Sequence, residues 1–486
     1  MRKNKKVLLV EPGMVMPNDS IRRIGEPMGL LYIAALLEKN GHTVRILDSS
    51  AEGYNNVVDV GGGYIRYGLD DTAIVKRIIE FMPDVVGVSC LFSARLREAL
   101  RICRLAKEVG GITVVVGGLH PSLYPSDILR DSNVDYVIMR EGEYRLVGLL
   151  EENHDIDGIA YRKEGRIVIN PPTSKIEDLD SLPFPARHLI NLETYFDIAV
   201  PCAPFFKSNR VVHILTSRGC PGNCNFCSTV NYWGRKFRKR SVGNIIKEIE
   251  LLKYKYDIGE VQFTDDNLTA DPRRAKELFK QMKDLKLHWC TPHGLMISTL
   301  DEEMLRIMGK SGCYQITMAV ESGSPRVLKD IIHKNVDLER VKYLIKKAHK
   351  YGISVHLLFL VGLPGETREE IYKTLEFPFQ TEADSVSFFI ASPLPGSELY
   401  DYSLQKGYLH EGDFGMDFKK VKIRIPESSP DNFGINTDEL ERLVDERTRA
   451  FNEMSKKRNP DAWNNKFKKF IEKHPELSTV IMGRVT

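Results

Sequence analysis

Three of the eight cysteines in this 486-residue chain fall within one short segment and have the spacing of metal ligands. They are Cys220, Cys224 and Cys227, in the pattern Cys-x3-Cys-x2-Cys. Pro221 and Gly222 keep the first gap out of a helix, so the loop can curl and direct three thiolates towards one site. With no fourth cysteine nearby, three thiolates would leave one iron of a cubane cluster open to a substrate or cofactor.

A structural zinc site is the alternative interpretation of the same cysteines, with a fourth ligand from His213 or Cys202. Zinc sites usually present two pairs of ligands, and the sequence shows no second pair. A disulfide is not expected in a cytoplasmic chain. The spacing, and the position of the loop directly after a strand pattern, therefore favour an iron–sulfur cluster. The other cysteines share no close pair and are predicted to be buried thiols: Cys90, Cys103, Cys202, Cys290 and Cys313.

The elements that position this loop follow a repeated strand–helix pattern from residue 211 onward. Six such units predict a curved parallel sheet or partial (βα)6 barrel, whose active site lies at the carboxyl ends of the strands. The candidate strands are 211–217, 260–265, 288–294, 314–321, 353–361 and 385–391. The helical patterns between them include 243–255, 273–284, 301–310 and 337–351.

The first 150 residues also alternate short β-branched strands with helices, which predicts a parallel sheet covered on both faces. Ligands of such sheets bind beyond the carboxyl ends of the strands. Those ends carry Glu11, Pro12, Asp48, Ser89, Cys90, Gly117, Gly118 and residues 140–143. The expected fold class is therefore α/β, with a Rossmann-like domain over 1–150, a proline-rich linker with one small hairpin over 151–208, a partial barrel over 209–410, and a small mixed or helical C-terminal region over 411–486.

Composition and charge exclude several other classes of protein. With 42% hydrophobic and 28% charged residues, the chain is neither disordered nor fibrous. Its 69 basic and 66 acidic residues give no support for nucleic-acid binding driven by bulk charge. The apolar run near the N-terminus is too short for a signal peptide, and no transmembrane segment is expected, so we expect a cytoplasmic protein. A basic run at 466–473 would form either a solvated helix or an amphipathic helix at a membrane surface.

At its cysteine motif, the sequence resembles the radical S-adenosylmethionine (SAM) superfamily. The matching features are Cys-x3-Cys-x2-Cys after the first strand of a partial barrel and an aromatic residue, Phe226, before the third cysteine. The resemblance implies a [4Fe–4S] cluster held by Cys220, Cys224 and Cys227, with SAM at the open iron. Reduction of the cluster would then cleave SAM to a 5′-deoxyadenosyl radical that abstracts a hydrogen atom.

The resemblance also implies SAM contacts at the ends of the barrel strands. Two carboxylates and an amide after the second strand would accept hydrogen bonds from the SAM amino group, although an Asx turn is an alternative role for Asn267. An acidic residue and a hydroxyl after the fourth strand would bind the ribose. Arg238 or Arg240 would either meet an anion or belong to a solvated face. The implied SAM contacts are Phe226, Asp265, Asp266, Asn267, Glu321, Ser322, Val361, Gly362 and Pro393.

Together with the barrel, the front domain resembles the cobalamin-binding branch that contains the anaerobic magnesium-protoporphyrin ester cyclase and the hopanoid and phosphinate methylases. The matching segments are 27–37, 42–48, 86–89, 116–121 and 141–143. A Rossmann-like domain that has lost its ligand is the alternative. The implied cobalamin contacts are Glu11, Pro12, Asp48, Ser50, Ser89, Gly117, Gly118, His120, Glu141, Gly142 and Glu143.

The front domain departs from the family pattern at one position. Many cobalamin proteins carry Asp-x-His-x2-Gly, whose histidine binds cobalt from below. The stretch compared with it here is 48–53, with Ser50 in the histidine position. Ser50 has no nitrogen to offer, so we expect cobalamin with its own base displaced and a lower face that is open, water-bound or covered by an apolar side chain.

The resemblance predicts a cobalamin-dependent radical SAM methyltransferase that moves a methyl group from methylcobalamin to an unactivated carbon or phosphorus centre. The alternatives are an oxidoreductase or cyclase that acts without methyl transfer, and a non-catalytic cofactor sensor. Action on RNA is disfavoured because no separate RNA-binding module is visible. The expected partners are a small-molecule or lipid substrate and a one-electron donor such as flavodoxin or ferredoxin, with no nucleic acid.

Overall fold

The computed structural model describes residues 4–199, 202–203, 206–409 and 423–460, and the chain divides into two compact units. The first unit contains Glu26–Ile198 and the residues up to Ser20. The second contains Ile21–Gly25 and most of the chain after Ile198. Among the described helices, none has the length and apolar character needed to cross a membrane. The basic run at 466–473 lies outside the described residues.

The first unit consists of two sheets and their covering helices. Its strands are β1 (Lys6–Glu11), β2 (Met14–Pro17), β3 (Thr43–Asp48), β4 (Val57–Gly61), β5 (Tyr64–Tyr67), β6 (Val85–Ser89), β7 (Thr113–Gly118), β8 (Tyr136–Met139), β9 (Ile159–Lys163) and β10 (Arg166–Asn170). Its helices are α1 (Met28–Lys39), α2 (Ser49–Glu52), α3 (Asp71–Phe81), α4 (Leu96–Val109), α5 (Leu119–Leu123), α6 (Pro125–Ile128), α7 (Glu143–Leu150) and α8 (Leu192–Ile198).

The larger sheet has the order β10-β9-β8-β7-β6-β1-β3. Its five strands from β3 to β8 are parallel, as the sequence predicts, and β9 and β10 add an antiparallel hairpin at one edge. That hairpin lies in the segment predicted as a linker, and it extends the sheet. The small antiparallel sheet β2-β5-β4 was not anticipated from the sequence.

Both faces of the larger sheet are buried, which explains its unbroken apolar strands. In β1, Val7 and Leu9 pack into one core with α1 and α7. The alternate residues Leu8 and Val10 pack into the opposite core with α3 and α4. Successive side chains of a strand point to opposite faces, so a strand buried on both sides must be apolar at every position.

The second unit carries the cysteine motif. Its strands are β11 (Val211–Ile214), β12 (Ser217–Arg218), β13 (Arg238–Lys239), β14 (Glu260–Phe263), β15 (His288–Leu295), β16 (Cys313–Glu321), β17 (Ser354–Val361) and β18 (Ser385–Ile390). Its helices are α9 (Thr229–Trp233), α10 (Val242–Tyr256), α11 (Pro272–Leu285), α12 (Glu302–Lys310), α13 (Leu338–Lys350), α14 (Arg368–Glu376), α15 (Glu398–Gln405) and α16 (Thr437–Arg458), with a π-helical turn at Val327–Ile331.

Six strands of this unit form a wholly parallel sheet in chain order, β11-β14-β15-β16-β17-β18. This is the topology predicted for the partial barrel. The first strand ends at Ile214, three residues earlier than predicted. After it, the chain turns into the two-residue strand β12, which pairs with β13. All six strands therefore bring their carboxyl ends to the edge of the sheet from which the cysteine loop emerges.

From the packing of the barrel core, we expect truncation of one aromatic side chain to lower the free energy of unfolding measurably. Phe279 of α11 is fully buried and stacks on Trp289, with 4.7 Å between ring centroids. Phe279→Ala should lower the free energy of unfolding by about 3–5 kcal/mol, because it leaves a cavity. Denaturant titration of the apoprotein measures this loss. Tyr254→Ala, at a ring 92% exposed, is the control and should cost less than about 0.5 kcal/mol. Equal losses in the two variants would contradict the packing role.

Candidate functional site

The cysteine loop follows β12 and is held against the segment that contains β13. Gly219 begins the loop with φ +90°, and a Cβ there would lie 2.4 Å from the carbonyl oxygen of Lys236. Only glycine tolerates both the backbone conformation and this close approach. The sequence therefore needs Gly219 to start the turn that presents Cys220.

The middle of the loop is held through the backbone of one residue. The Asn225 N–H donates to the Ile332 carbonyl at 3.2 Å, and the Asn225 carbonyl accepts from the Leu399 N–H at 2.9 Å. Cys224 and Phe226, on either side, pack against an apolar cluster that includes Ile332 and Leu399. Two backbone hydrogen bonds and this packing therefore fix the loop between its second and third cysteines.

All eight cysteines are free thiols, and the three of the loop are half-buried. Burial raises the pKa of Cys224 to about 11, and the neighbouring Cys227 and Cys220 add to this effect. Burial also raises the pKa of Cys227 above its usual value. Metal binding by Cys224 and Cys227 must therefore release their protons.

The donor set fits a cluster better than a single ion. Among the described residues, no group of three His, Cys, Asp or Glu side chains is arranged to hold one metal ion. A structural zinc ion takes four protein ligands, whereas a cubane held by three cysteines leaves one iron open. The three thiols from one fixed loop therefore fit a [4Fe–4S] cluster.

Next to Cys220 lies a buried amide whose oxygen has no partner. The Asn267 side-chain N–H₂ approaches the sulfurs of Cys220 and Met296 at 3.9 Å each. The Asn267 Oδ1 is buried and accepts no hydrogen bond from the described residues. An orphaned acceptor beside a cluster cysteine fits a ligand with an ammonium group, as the SAM amino group would be.

The two preceding carboxylates have different surroundings. Asp265 is buried and accepts hydrogen bonds from the Thr216 N–H at 3.1 Å, the Thr216 hydroxyl at 2.7 Å and the Ser217 hydroxyl. It therefore fixes the turn that leads into the cysteine loop. Asp266 is exposed, and its oxygen lies 3.4 Å from the Thr229 hydroxyl. Of the pair, Asp266 is the one that remains open to a ligand.

The two residues predicted to bind the ribose, Glu321 and Ser322, also have different surroundings. Glu321 ends β16 at a bulge with φ +71°, and its carboxylate accepts a hydrogen bond from Lys334 at 2.9 Å. Ser322 is fully buried, and its hydroxyl shares a hydrogen bond of 2.9 Å with Thr374. The Ser322 hydroxyl thus serves the packing of this unit, whereas Glu321 keeps a second carboxylate oxygen for a ligand.

The last predicted SAM contacts lie at the ends of β17 and β18. Val361 and Pro393 are buried. Gly362 has φ +81°, and a Cβ there would lie 2.8 Å from the Leu440 side chain of α16. These residues can present backbone atoms to a ligand rather than side chains.

The basic run after the loop contains two buried arginines. Arg240 pairs with Glu248 and donates to the Leu215 carbonyl at 3.0 Å and the Asn244 side chain at 2.7 Å. Arg238 is buried as well. The guanidinium of Arg240 is therefore used within the fold, and a contact of Arg238 or Arg240 with an anion stays a prediction.

In the first unit, the carboxyl ends of β1 and β3 are tied together by polar side chains. Asp48 caps α2 through the Ala51 N–H at 3.0 Å and accepts from the Tyr195 hydroxyl at 2.7 Å. Burial raises the pKa of Asp48 to about 6. The Ser50 hydroxyl donates to the Pro12 carbonyl at 2.8 Å. Ser50 thus holds two loops together.

The ends of β6 and β7 approach each other closely. Gly118 has φ +125°, and a Cβ there would lie 2.4 Å from the Cys90 carbonyl. Directly after β6, Leu91 and Phe92 are exposed at 41% and 42%. Two exposed apolar side chains on the ligand-binding edge fit a large ring cofactor such as cobalamin. Neither residue was predicted from the sequence, although only Cys90 separates them from Ser89.

The other predicted cobalamin contacts are at the same edge but are engaged within the unit. Glu11 forms an ion pair with Arg95. The His120 ring is buried, and its Nδ1 lies 2.9 Å from the Ser93 hydroxyl. Glu141 accepts from the Ile176 N–H at 3.1 Å. The remaining positions lie at strand ends or at the start of α7: Ser89, Gly117, Gly142 and Glu143.

The second unit carries a cluster-type cysteine loop at the carboxyl edge of its parallel sheet, and the first unit is a Rossmann-like domain. A chain with these two units defines a class of iron–sulfur enzyme with two cofactor-binding domains. Residues 214–377 match the radical SAM superfamily, and residues 16–150 match the B12 binding domain. The chain is 38% identical over 463 residues, 87% of each protein, to cytidylyl-2-hydroxyethylphosphonate methyltransferase of Streptomyces wedmorensis.

Two further similarities agree with this. The chain is 26% identical to the anaerobic magnesium-protoporphyrin IX monomethyl ester cyclase of Rubrivivax gelatinosus, over 88% of this chain and 74% of that protein. The fold superposes on the cobalamin-dependent SAM radical enzyme OxsB with a TM-score of 0.71 at 16% identity, over 99% of this chain and 72% of OxsB. The chain belongs to the cobalamin-dependent branch of the radical SAM superfamily, whose cofactors are SAM, a [4Fe–4S] cluster and cobalamin.

The cysteine loop predicts that one substitution abolishes the cluster. Cys224→Ala should prevent uptake of iron and sulfide during anaerobic reconstitution, because two thiolates do not hold a cubane. Iron and sulfide content per chain measures the loss. Cys313→Ala is the matched control, since Cys313 is a buried thiol whose S–H donates to the Gln315 carbonyl, and it should keep the wild-type content. Full iron content in the Cys224 variant would contradict the assignment.

The buried histidine of the first unit predicts a pH-dependent stability. Burial lowers the pKa of His120 to about 4, below the value of about 6.5 in an unfolded chain. Between these values the unfolded chain binds the proton and the folded chain does not, so stability falls as the pH drops from 6.5 towards 4. At pH 5.5 this amounts to about 1 kcal/mol.

The comparison that measures this effect is His120→Gln against wild type. Denaturant titrations at pH 7.5 and pH 5.5 should show that the variant loses about 1 kcal/mol less than wild type between the two pH values. An equal loss in both proteins would show that His120 does not titrate as its burial requires.

Proposed function

We propose that this enzyme transfers a methyl group to an unactivated carbon or phosphorus centre of a small-molecule substrate. The observation that carries the proposal is the 38% identity, over 87% of both chains, to a methyltransferase that acts on a cytidylyl phosphonate. When bound, the cluster supplies the electron that cleaves SAM, and cobalamin carries the methyl group that is transferred. SAM is then the source of both the radical and the methyl group.

The residues that we assign to SAM have separate tasks. Cys220, Cys224 and Cys227 bind three irons and leave the fourth open. The orphaned Asn267 Oδ1 accepts a hydrogen bond from the SAM amino group, and the exposed Asp266 supplies a second acceptor nearby. Asp265 acts indirectly, because its hydrogen bonds to Thr216 fix the turn that leads into the cysteine loop.

In the first unit, we assign the cobalamin contact to the carboxyl ends of the strands. The exposed Leu91 and Phe92 offer an apolar surface to the ring. The backbone at Gly117 and Gly118 carries no side chain that would keep the nucleotide tail away. His120 stays neutral at physiological pH and keeps its hydrogen bond to Ser93.

The open face of the last barrel strands supports a substrate site. Helix α16 packs against β18, where Phe388 is buried, whereas the alternate residue Phe389 is 53% exposed. Ser385 and Ser387 lie on the same face of β18 as Phe389. The half-buried His356 of β17 lies 2.8 Å from the Ser385 hydroxyl and 3.2 Å from the Ser387 hydroxyl. We infer that Phe389, near the carboxyl end of β18, contacts the substrate and offers a ring on which a planar group can stack, whereas His356 and Ser385 lie at the beginning of β17 and β18.

The reductant is proposed to be a small one-electron protein such as flavodoxin or ferredoxin. Arg235 and Lys236 are exposed, and Arg235 donates to Asn223 of the cysteine loop. Exposed positive charge beside the cluster would attract an acidic electron donor. Because salt screens the attraction between these basic residues and an acidic donor, we expect added salt to slow reduction of the cluster.

The decisive experiment follows the methyl label. Reconstituted enzyme is given cobalamin, a one-electron reductant and SAM labelled in its methyl group, with cytidylyl-2-hydroxyethylphosphonate as the first substrate and related phosphonates and tetrapyrroles as the panel. Labelled product together with 5′-deoxyadenosine is the expected result.

Two outcomes would overturn the assignment. Substrate-dependent 5′-deoxyadenosine with an oxidised or cyclised, unlabelled product would instead support the cyclase-type reaction of the relative from Rubrivivax gelatinosus. Cofactor binding without 5′-deoxyadenosine for any substrate would point to a sensor. The Cys224→Ala variant is the negative control, and Cys313→Ala should retain the wild-type rate.

A further inference from the structure

A buried ion pair lies beside the cysteine loop and was not foreseen from the sequence. The Lys334 ammonium donates to Glu321 Oε1 at 2.9 Å and to the Ala319 carbonyl at 2.7 Å. The side chains of Lys334 and Glu321 are only 15% and 12% exposed. Both charges are therefore held in one geometry with little solvent around them.

The backbone connects this pair to the cluster ligands. Ile332, two residues before Lys334, accepts the hydrogen bond from Asn225 and packs against Cys224. The π-helical turn ends at Ile331, the residue before Ile332, and His333, the residue after Ile332, has φ +63°. This irregular segment turns the chain so that Lys334 reaches back to the end of β16.

The two charges act on the cysteines with opposite sign. The Lys334 ammonium is positive and the Glu321 carboxylate is negative, and the segment of Lys334 is joined to the cysteine loop through Ile332, which bonds Asn225 and packs against Cys224. In a poorly solvated site such interactions are much stronger than in water. A cluster held by these cysteines gains one negative charge on reduction, so the same two groups act on its reduced form.

We propose that the Lys334–Glu321 pair sets the reduction potential of the cluster, with Lys334 stabilising the reduced state and Glu321 opposing it. The step is the one-electron reduction of [4Fe–4S]2+ to [4Fe–4S]1+ by a low-potential electron donor. Lys334 is thus a positioning residue that also orients the carboxylate of Glu321. The inference rests on the cluster that the proposed function requires.

The test is a potentiometric titration of the reconstituted enzyme in the absence of SAM and substrate, followed by electron paramagnetic resonance of the reduced cluster. Lys334→Met should shift the midpoint potential to more negative values. Glu321→Gln should shift it to more positive values. The double variant should lie between the two single variants, and Lys334→Arg, which keeps the charge, should lie close to wild type.

A matched control uses an ion pair on α13, where Lys342 lies 2.8 Å from Glu339. Lys342→Met and Glu339→Gln should leave the potential unchanged. Loss of packing alone would not produce shifts of opposite sign, so unchanged potentials, or shifts of the same sign in Lys334→Met and Glu321→Gln, would overturn the inference.

If Lys334→Met takes up no cluster, Glu321→Gln and Lys334→Arg still decide the question. A more positive midpoint potential in Glu321→Gln, together with a wild-type potential in Lys334→Arg, would support the inference. Any other pair of potentials would overturn it. Failure of the wild-type chain to bind a cluster would overturn the proposed function as well, which distinguishes the two claims.

Discussion

The site depends on one short loop being held by its backbone. Three thiols can serve one cluster only if the residues between them are fixed, and Asn225 provides this through hydrogen bonds from its N–H to Ile332 and from Leu399 to its carbonyl. Asp265 fixes the start of the loop by accepting hydrogen bonds from Thr216 and Ser217. The Asp265 carboxylate is paired with Thr216 and Ser217, as a rigid site requires, whereas the buried Asn225 Oδ1 accepts no hydrogen bond from the described residues.

In the first unit, loops are likewise held in place by polar contacts. Several polar residues expected to touch cobalamin also hold loops together: Asp48 caps α2, Ser50 binds the Pro12 carbonyl, and Glu11 pairs with Arg95. The apolar pair Leu91 and Phe92 is exposed at this edge of the sheet. Recognition of a large ring cofactor by such a surface relies on shape and apolar contact.

Local signals in the sequence were enough to predict the architecture. The apolar strand runs and the cysteine spacing are contiguous patterns, and the six-stranded parallel sheet appears in the predicted order. The small sheet β2-β5-β4 was missed because β4 is exposed along its whole length and ends at a glycine turn. Short-range periodicity carries no sign of such a strand.

The details of the site were harder to predict because they depend on contacts between distant segments. The run that contains Arg240 reads as a solvated face, yet its guanidinium is buried against Glu248. Lys334 belongs to no motif and reaches Glu321 only through a π-helical turn. Ser322 resembled a ligand contact in sequence, and its partner Thr374 is 52 residues away.

The central claim is that three cysteines hold a cluster whose fourth iron binds SAM. The most direct measurement is electron–nuclear double resonance on the reduced cluster, with SAM labelled by nitrogen-15 in its amino group. The account predicts a coupling between the cluster spin and the labelled nitrogen. A reduced cluster whose spectrum is unaffected by SAM, with no such coupling, would contradict it.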